Sequence, residues 1–288
     1  MIEKAIFIAD ISNLKLVTSK YKRLYFGSEF CERLIPRLNE LRKIVSYCDR
    51  NKLSFSLVTP YVTRRGIENL EKLFLWLRNN KINCEIIIND YGILDLINEE
   101  YHTLQPVLGR LLTKQKRDPR IMDLMQAKPQ RTTFFKKRNE YVFVFPQKSP
   151  GTLLSFFKEA NINVPIIRNF LKSYRISRVE IDNLFQGMNL RIPKHSLSVS
   201  LYVPYGYITT TRLCSANPFR AKKRFFCGIS FCKKECKKYI LELRNKNMPV
   251  IIYQKGNTLF FENRKVPGKR ELVKKRIDRL VYQPEPPI

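Results

Sequence analysis

The chain has 288 residues, enough for one large domain or two modest ones, and its 44% hydrophobic content is that of an ordinary globular protein with a real core. No stretch is dominated by Gly, Ser, Gln or unbroken charge, which argues against extended disorder, and the longest apolar runs fall far below the roughly 18 residues of a membrane span. A total of 54 Lys and Arg against 25 Asp and Glu leaves a formal charge of +29, a field that attracts polyanions and makes RNA an expected partner.

The opening MIEKAIFIAD lacks the basic start, long apolar centre and cleavage site of a secretion signal, so a cytoplasmic location is expected. Within it, Ala5 to Ile11 reads as a strand, and Phe30 to Asp49 as a helix with apolar residues recurring at three and four. Leu53 to Thr59 is the next strand. A helix follows Thr63 as far as Asn79, with Ile67, Leu70, Leu73, Phe74 and Leu77 on one face. Cys84 to Ile88 is a third strand, Ile93 to Asn98 a short helix, and Pro106 to Leu112 a fourth strand whose Gly109 permits close approach of another group.

From 113 to 140 the sequence is polar, basic and irregular, an excursion from the scaffold of the kind that often carries function. Tyr141 to Phe145 returns as a strand. Helical stretches follow from Pro150 to Ala160 and from Ile166 to Tyr174. Arg178 to Ile181 and Leu197 to Val203 are strands. Val250 to Gln254 and Thr258 to Phe261 form a hairpin about Lys255 to Asn257, with its glycine in the middle. A last helix is expected from Arg270 to Val281.

Strands alternating with helices predict an α/β fold, a complete or incomplete TIM-like (β/α) barrel over 1–262, with a helix and tail over 263–288. An open doubly wound sheet is the alternative. In a barrel, chemistry gathers on the loops after the strands. That rule selects Asp10, Thr59, Tyr61, Asn89, Asp90, Arg110, Asn183, Tyr205 and Tyr207. Glu180 and Asp182 join them because side chains two apart on a strand share a face, and two inward acids need a cation, a metal or a hydrogen-bonding substrate. Asp10, Asp90, Glu180 and Asp182 are the candidate catalytic carboxylates, although Asp after a strand also caps helices. Arg110, Lys114, Lys116, Arg117 and Arg120 are the candidate phosphate contacts. Phe219, Phe225, Phe226, Phe231 and Tyr239 lie among further cations, an arrangement that can stack bases or build a core.

Cys31, Cys48 and Cys84 sit in apolar contexts and read as small structural hydrophobes. The other four cysteines fall as C-x12-C-x4-C-x3-C at Cys214, Cys227, Cys232 and Cys236, within the segment 212–238. Clustering of this kind outside an oxidising compartment points to metal rather than disulfides. The close C-x-x-C pairs of structural zinc sites are missing, and neither His102 nor His195 lies among the cysteines. A 4Fe-4S cluster, which tolerates wider spacing, is therefore expected, with zinc as the alternative.

The segments VTPYVTRRGIENLEKL, EIIINDYGIL, LGRLLTKQKRDPR, SRVEIDN and YITTTRLC, followed by the clustered cysteines, resemble the collagenase-like peptidase family, the U-thirty-two group. The likeness runs from Leu53 to Glu262. It implies a TIM-like barrel and, for the iron-sulphur branches of that family, oxygen-independent hydroxylation of RNA bases or of the ubiquinone ring, with prephenate as the hydroxyl source. By position, Cys214, Cys227, Cys232 and Cys236 match the cluster ligands of those branches. Their quinone-hydroxylating members also imply a related partner subunit.

The expected function is thus an iron-sulphur protein acting in hydroxylation or related modification of RNA or a small aromatic substrate. Two alternatives remain at the level of sequence. One is a non-catalytic nucleic-acid-binding protein with a structural zinc site. The other is a peptidase, for which two histidines and no H-E-x-x-H motif offer little machinery.

Overall fold

A computed structural model describes residues 2–126, 133–137, 140–144, 151–193, 196–212, 214, 232–246 and 248–288. Cys227, Phe219, Phe225, Phe226, Phe231 and His195 lie outside the described residues, as do many of the cations near them.

Eight short strands carry apolar residues on both faces, as strands must when they are buried inside and out. They are β1 (Glu3–Ile8), β2 (Arg23–Gly27), β3 (Ser54–Val58), β4 (Glu85–Ile88), β5 (Gln105–Leu108), β8 (Arg178–Asp182), β9 (Ser198–Val203) and β14 (Ile277–Tyr282). All pair in parallel and close into a barrel in the order β1-β14-β9-β8-β5-β4-β3-β2. The period of two then divides each strand. Ala5, Phe7, Tyr25, Val58, Ile87, Val107, Tyr202 and Val281 form an inner core, while Ile6, Ile8, Leu24, Phe26, Leu57 and Ile86 join a larger outer one.

Helices α1 (Leu38–Arg50), α2 (Arg64–Asn79) and α3 (Tyr91–Glu100) cover the outside of the barrel. Their buried residues recur at three and four, as Leu41, Ile44 and Cys48 do in α1 and Leu70, Leu73, Phe74 and Leu77 in α2. After β5 come α4 (Ile121–Gln126), the antiparallel pair β6 (Thr133–Lys137) and β7 (Glu140–Val144), α5 (Gly151–Phe157) and α6 (Pro165–Ser173). Among the described residues no helix is long and apolar enough to cross a membrane.

A second, antiparallel sheet follows β9. Its strands are β10 (Tyr205–Thr210), β11 (Leu241–Leu243), β12 (Ile252–Lys255) and β13 (Thr258–Glu262), in the order β10-β13-β12-β11. The β12–β13 hairpin turns at Gly256 and Asn257, where the sequence places it.

Several elements differ from the sequence reading, which holds no β10 or β11 and reads 113–140 as irregular where α4 and β6 lie. Arg23–Gly27 is a barrel strand, too short and too close to the preceding turn to stand out by periodicity. The helix expected from Phe30 begins only at Leu38, after a 3-10 turn over Glu32–Leu34. The last helix, α7, covers Lys269–Lys274 alone, and the remainder of the expected helix lies in β14, in which Arg279 and Val281 point inward while Ile277 joins the outer core. Segment 263–288 therefore supplies the strand that closes the barrel against β1.

Candidate metal centre

The end of the barrel where strand carboxyl ends gather is filled by charge that is already paired. Arg110, fully buried after β5, donates from Nε and Nη2 to the two oxygens of Glu29 at 2.9 and 2.5 Å. Its Nη1 donates to Asp182 Oδ1 at 2.6 Å and to the Tyr205 carbonyl at 3.0 Å. Glu29 follows β2 and Asp182 ends β8, and these strands stand four places apart in a ring of eight, so one guanidinium spans the mouth.

Arg117 donates to the other Asp182 oxygen at 2.5 Å and to the Arg110 carbonyl at 2.8 Å, giving two cations for two anions. The guanidinium of Arg110 lies 4.0 Å over Tyr202 and that of Arg117 4.1 Å over Tyr207. Burial alone would lower the Arg110 pKa, but Glu29 and Asp182 outweigh it and hold the guanidinium charged.

The opposite end is closed in the same way. Arg279 on β14 donates to Glu85 on β4, again across the ring, at 2.7 and 3.0 Å, to Glu3 at 2.6 Å and to the Tyr25 hydroxyl at 2.6 Å. Tyr25 in turn donates to Glu180 Oε1 at 3.1 Å. Glu180 Oε2 is buried without a hydrogen-bond partner among the described residues, and burial raises this carboxyl to about pH 7.

The four candidate carboxylates consequently do not meet on one ligand face. Glu180 and Asp182 both point inward, but Asp182 is consumed by two arginines. Asp90 caps α3 through the Gly92 N–H at 2.8 Å and accepts from Val62 N–H at 3.1 Å. Asp10 caps the 3-10 turn at Ile11–Leu16 and pairs with Lys237 at 2.6 Å. Of the phosphate candidates, Arg110 and Arg117 are enclosed and unavailable to a polyanion. Lys114 and Arg120 are exposed, Arg120 bridging to Asp118 at 2.6 Å. Lys116 donates to the Glu159 carbonyl and lies 4.2 Å over Phe156. The close approach expected at Gly109 is that of Asn89: a Cβ there would stand 2.1 Å from Asn89 Oδ1.

Beside the closed mouth lies a cavity of about 150 Å³ lined by Cys31, Cys214, Cys232 and Cys236, with Arg33, Tyr61, Thr63, Arg212, Gly256, Asn257 and Ile288 among its other walls. The cysteines reach it from separate pieces of chain. Cys31 follows β2, Cys214 follows β10, and Cys236 sits in the 3-10 turn Glu235–Lys237 before β11.

Cys31, which the sequence groups with Cys48 and Cys84 as structural, lines the same cavity as the clustered cysteines. Its signal was masked by apolar neighbours, since Phe30 and Leu34 pack under the cavity rather than on a helix face. Cys48 and Cys84 are indeed buried in the outer core, where burial pushes both thiols up to about 12.

The thiols sense one another. Burial pushes Cys31 up to about 11, and Cys232 and Cys214 add to the rise. Burial likewise pushes Cys236 up to about 12, with Cys214, Cys31 and Cys232 contributing. Thiols grouped this way resist ionisation unless a cation compensates them, and a metal is the usual compensation.

Sequence reasoning overlooked Asn257, the bracket of this arrangement. Its Nδ2 donates to the Phe30 carbonyl at 2.8 Å, beside Cys31, and to the Thr211 carbonyl at 2.5 Å, three residues before Cys214. The Thr211 N–H donates back to the Asn257 carbonyl at 3.1 Å. Glu32 fastens the same loop to α2 by accepting from the N–H and hydroxyl of Thr63 at 2.7 and 2.9 Å.

As the thiols stand, no group of three or more His, Cys, Asp or Glu side chains among the described residues is arranged to hold a metal ion. Four thiols are a donor set of the kind that zinc and iron-sulphur clusters both take.

No family model matches the sequence, and no curated protein matches it. Among solved structures, the chain is similar to the U32 peptidase Mk0906, with 9% identity and a TM-score of 0.46 over 99% of this chain and 94% of that one. It is also similar to a glycoside hydrolase family 18 N-acetylglucosaminidase from Paenibacillus barengoltzii, with 8% identity and a TM-score of 0.38 over 98% and 94%. At these values neither likeness bears on function.

Proposed function

We propose that this chain is an iron-sulphur protein, with a 4Fe-4S cluster held by Cys31, Cys214, Cys232 and Cys236. Cys227 lies outside the described residues and is the remaining thiol of the segment. One observation carries the reading: four cysteines from three pieces of chain line one cavity. Such a cluster supplies one-electron chemistry or a site for an oxygen-bearing ligand. The chain's own residues fasten the thiol-bearing segments, through Asn257 and Glu32, and cover them with Phe30, Leu34 and Ile288.

The substrate class follows from the resemblance and the charge. Oxygen-independent hydroxylation, or a related modification, of RNA or of a small aromatic compound fits both. With the barrel mouth occupied by Arg110 and its partners, the substrate would meet the protein at the cysteine cavity, alone or shared with a related partner subunit. Protein purified without oxygen should be brown and contain iron and labile sulphide. Colourless protein containing zinc would instead favour the nucleic-acid-binding alternative, and metal-free protein that cleaves peptides would favour the peptidase.

A further inference from the structure

We propose that the Ile288 side chain is the seal of the cysteine cavity, shielding the cluster from water and oxygen and so setting its potential and its lifetime in air. This rests on the iron-sulphur reading above. Ile288 is only 4% exposed, lines the cavity with the four cysteines, and packs in one apolar group with Phe30, Leu34, Tyr207, Cys236 and Phe260.

The segment leading to it is pinned at three points. The Gln283 N–H donates to the Val203 carbonyl at 2.7 Å, which extends the pairing of β14 with β9. Glu285 accepts from Asn13 Nδ2 at 2.9 Å. Its other oxygen stands 3.2 Å from Lys255 Nζ, on a lysine that is 4% exposed at the start of the β12–β13 turn. Pro286 and Pro287 are buried and have restricted φ, so they present Ile288 in one direction at little entropic cost.

The fit on the far side is tight. Gly256 has a φ of +60°, and a Cβ there would stand 2.5 Å from Ile288 Cδ1 and 3.2 Å from Cys236 Cβ. A residue other than glycine would thus push Ile288 away from the cysteine it covers.

A cluster carried by four thiolates is an anion that gains a further negative charge on reduction. An apolar cover disfavours that step and lowers the potential, and solvent access raises it. Ile288 therefore acts as a positioning residue for the environment of the centre, without ligating it.

The test compares native protein with Ile288→Ala, Ile288→Leu and Gly256→Ala, all prepared without oxygen. Iron content before exposure, midpoint potential, the rate at which visible absorbance bleaches in air, and iodoacetamide labelling of Cys236 are measured on each. Ile288→Ala should retain its iron anaerobically, bleach several-fold faster and show a raised potential, while Ile288→Leu stays close to native. Gly256→Ala should follow Ile288→Ala. Equal bleaching rates and potentials in native and Ile288→Ala protein would overturn the seal. Native protein without iron would defeat the cluster reading instead, and the labelling would then decide: faster labelling of Cys236 in Ile288→Ala supports the seal, and equal labelling refutes it.

Discussion

The axis of the barrel and the cavity beside it are built from opposite materials. Along the axis, Arg110 and Arg279 each reach between strands that face one another across the ring, and each meets carboxylates there. These charges satisfy one another and close both ends. In the cavity, four thiols share one lining with Arg33 and Arg212, and burial with the neighbouring thiols pushes Cys31 up to about 11 and Cys236 up to about 12. The first region uses paired charge to hold a fold, whereas the second gathers sulphur donors from distant parts of the chain.

The sharpest way to break this contrast is to attack the axis. Removing Arg110 leaves Glu29 and Asp182 buried and uncompensated, so Arg110→Ala should cost about 3–5 kcal/mol in chemical denaturation. A loss within about 0.5 kcal/mol, the range of surface substitutions, would show that the network is not structural.

Glu180 offers a milder test with a sign. Burial raises its carboxyl from 4.5 to about 7, so the native state keeps a proton that the unfolded chain releases. Its contribution to stability is whole below pH 4.5 and is lost as pH rises through about 7. Glu180→Gln should therefore gain on native protein by up to about 3 kcal/mol above that pH, with the difference flat at acid pH. Denaturation curves across the range check it, and a difference that does not change with pH would contradict the burial of that charge.

At the cavity, Asn257→Ala removes the bracket between Phe30 and Thr211 and should cost about 1–3 kcal/mol, with reduced iron retention on dialysis against chelator. Stability lost with full iron retention would confine Asn257 to the fold. The smallest effect is expected at the surface. Lys114→Ala and Arg120→Ala should each weaken RNA binding slightly and lower the salt slope by about one. Unchanged slopes would show that neither residue contacts phosphate.

Much of the barrel is legible because buried parallel strands and their helices leave strong patterns. Cys84 to Ile88 and the α2 face with Leu70, Leu73 and Leu77 are examples. Arg23–Gly27 and Ile277–Tyr282 escape because five or six residues of strand, half of them polar or aromatic, mimic a loop or a helix turn. The inward direction of Glu180 and Asp182 follows from the period of two. Their partners do not, because Arg110 and Arg117 are distant in sequence and carry the same letters as surface cations. Cys31 illustrates the same limit: spacing groups the cysteines near 214–236, and only the folded chain brings a thiol from the second strand to meet them.

The central claim is that Cys31 shares one inorganic centre with Cys214, Cys232 and Cys236. Iron and labile sulphide should be determined on native, Cys31→Ser and Cys48→Ser proteins purified without oxygen. Native and Cys48→Ser proteins should hold equal amounts of iron and sulphide, and Cys31→Ser should hold little of either. Full loading of Cys31→Ser, or no iron in the native protein, would contradict it.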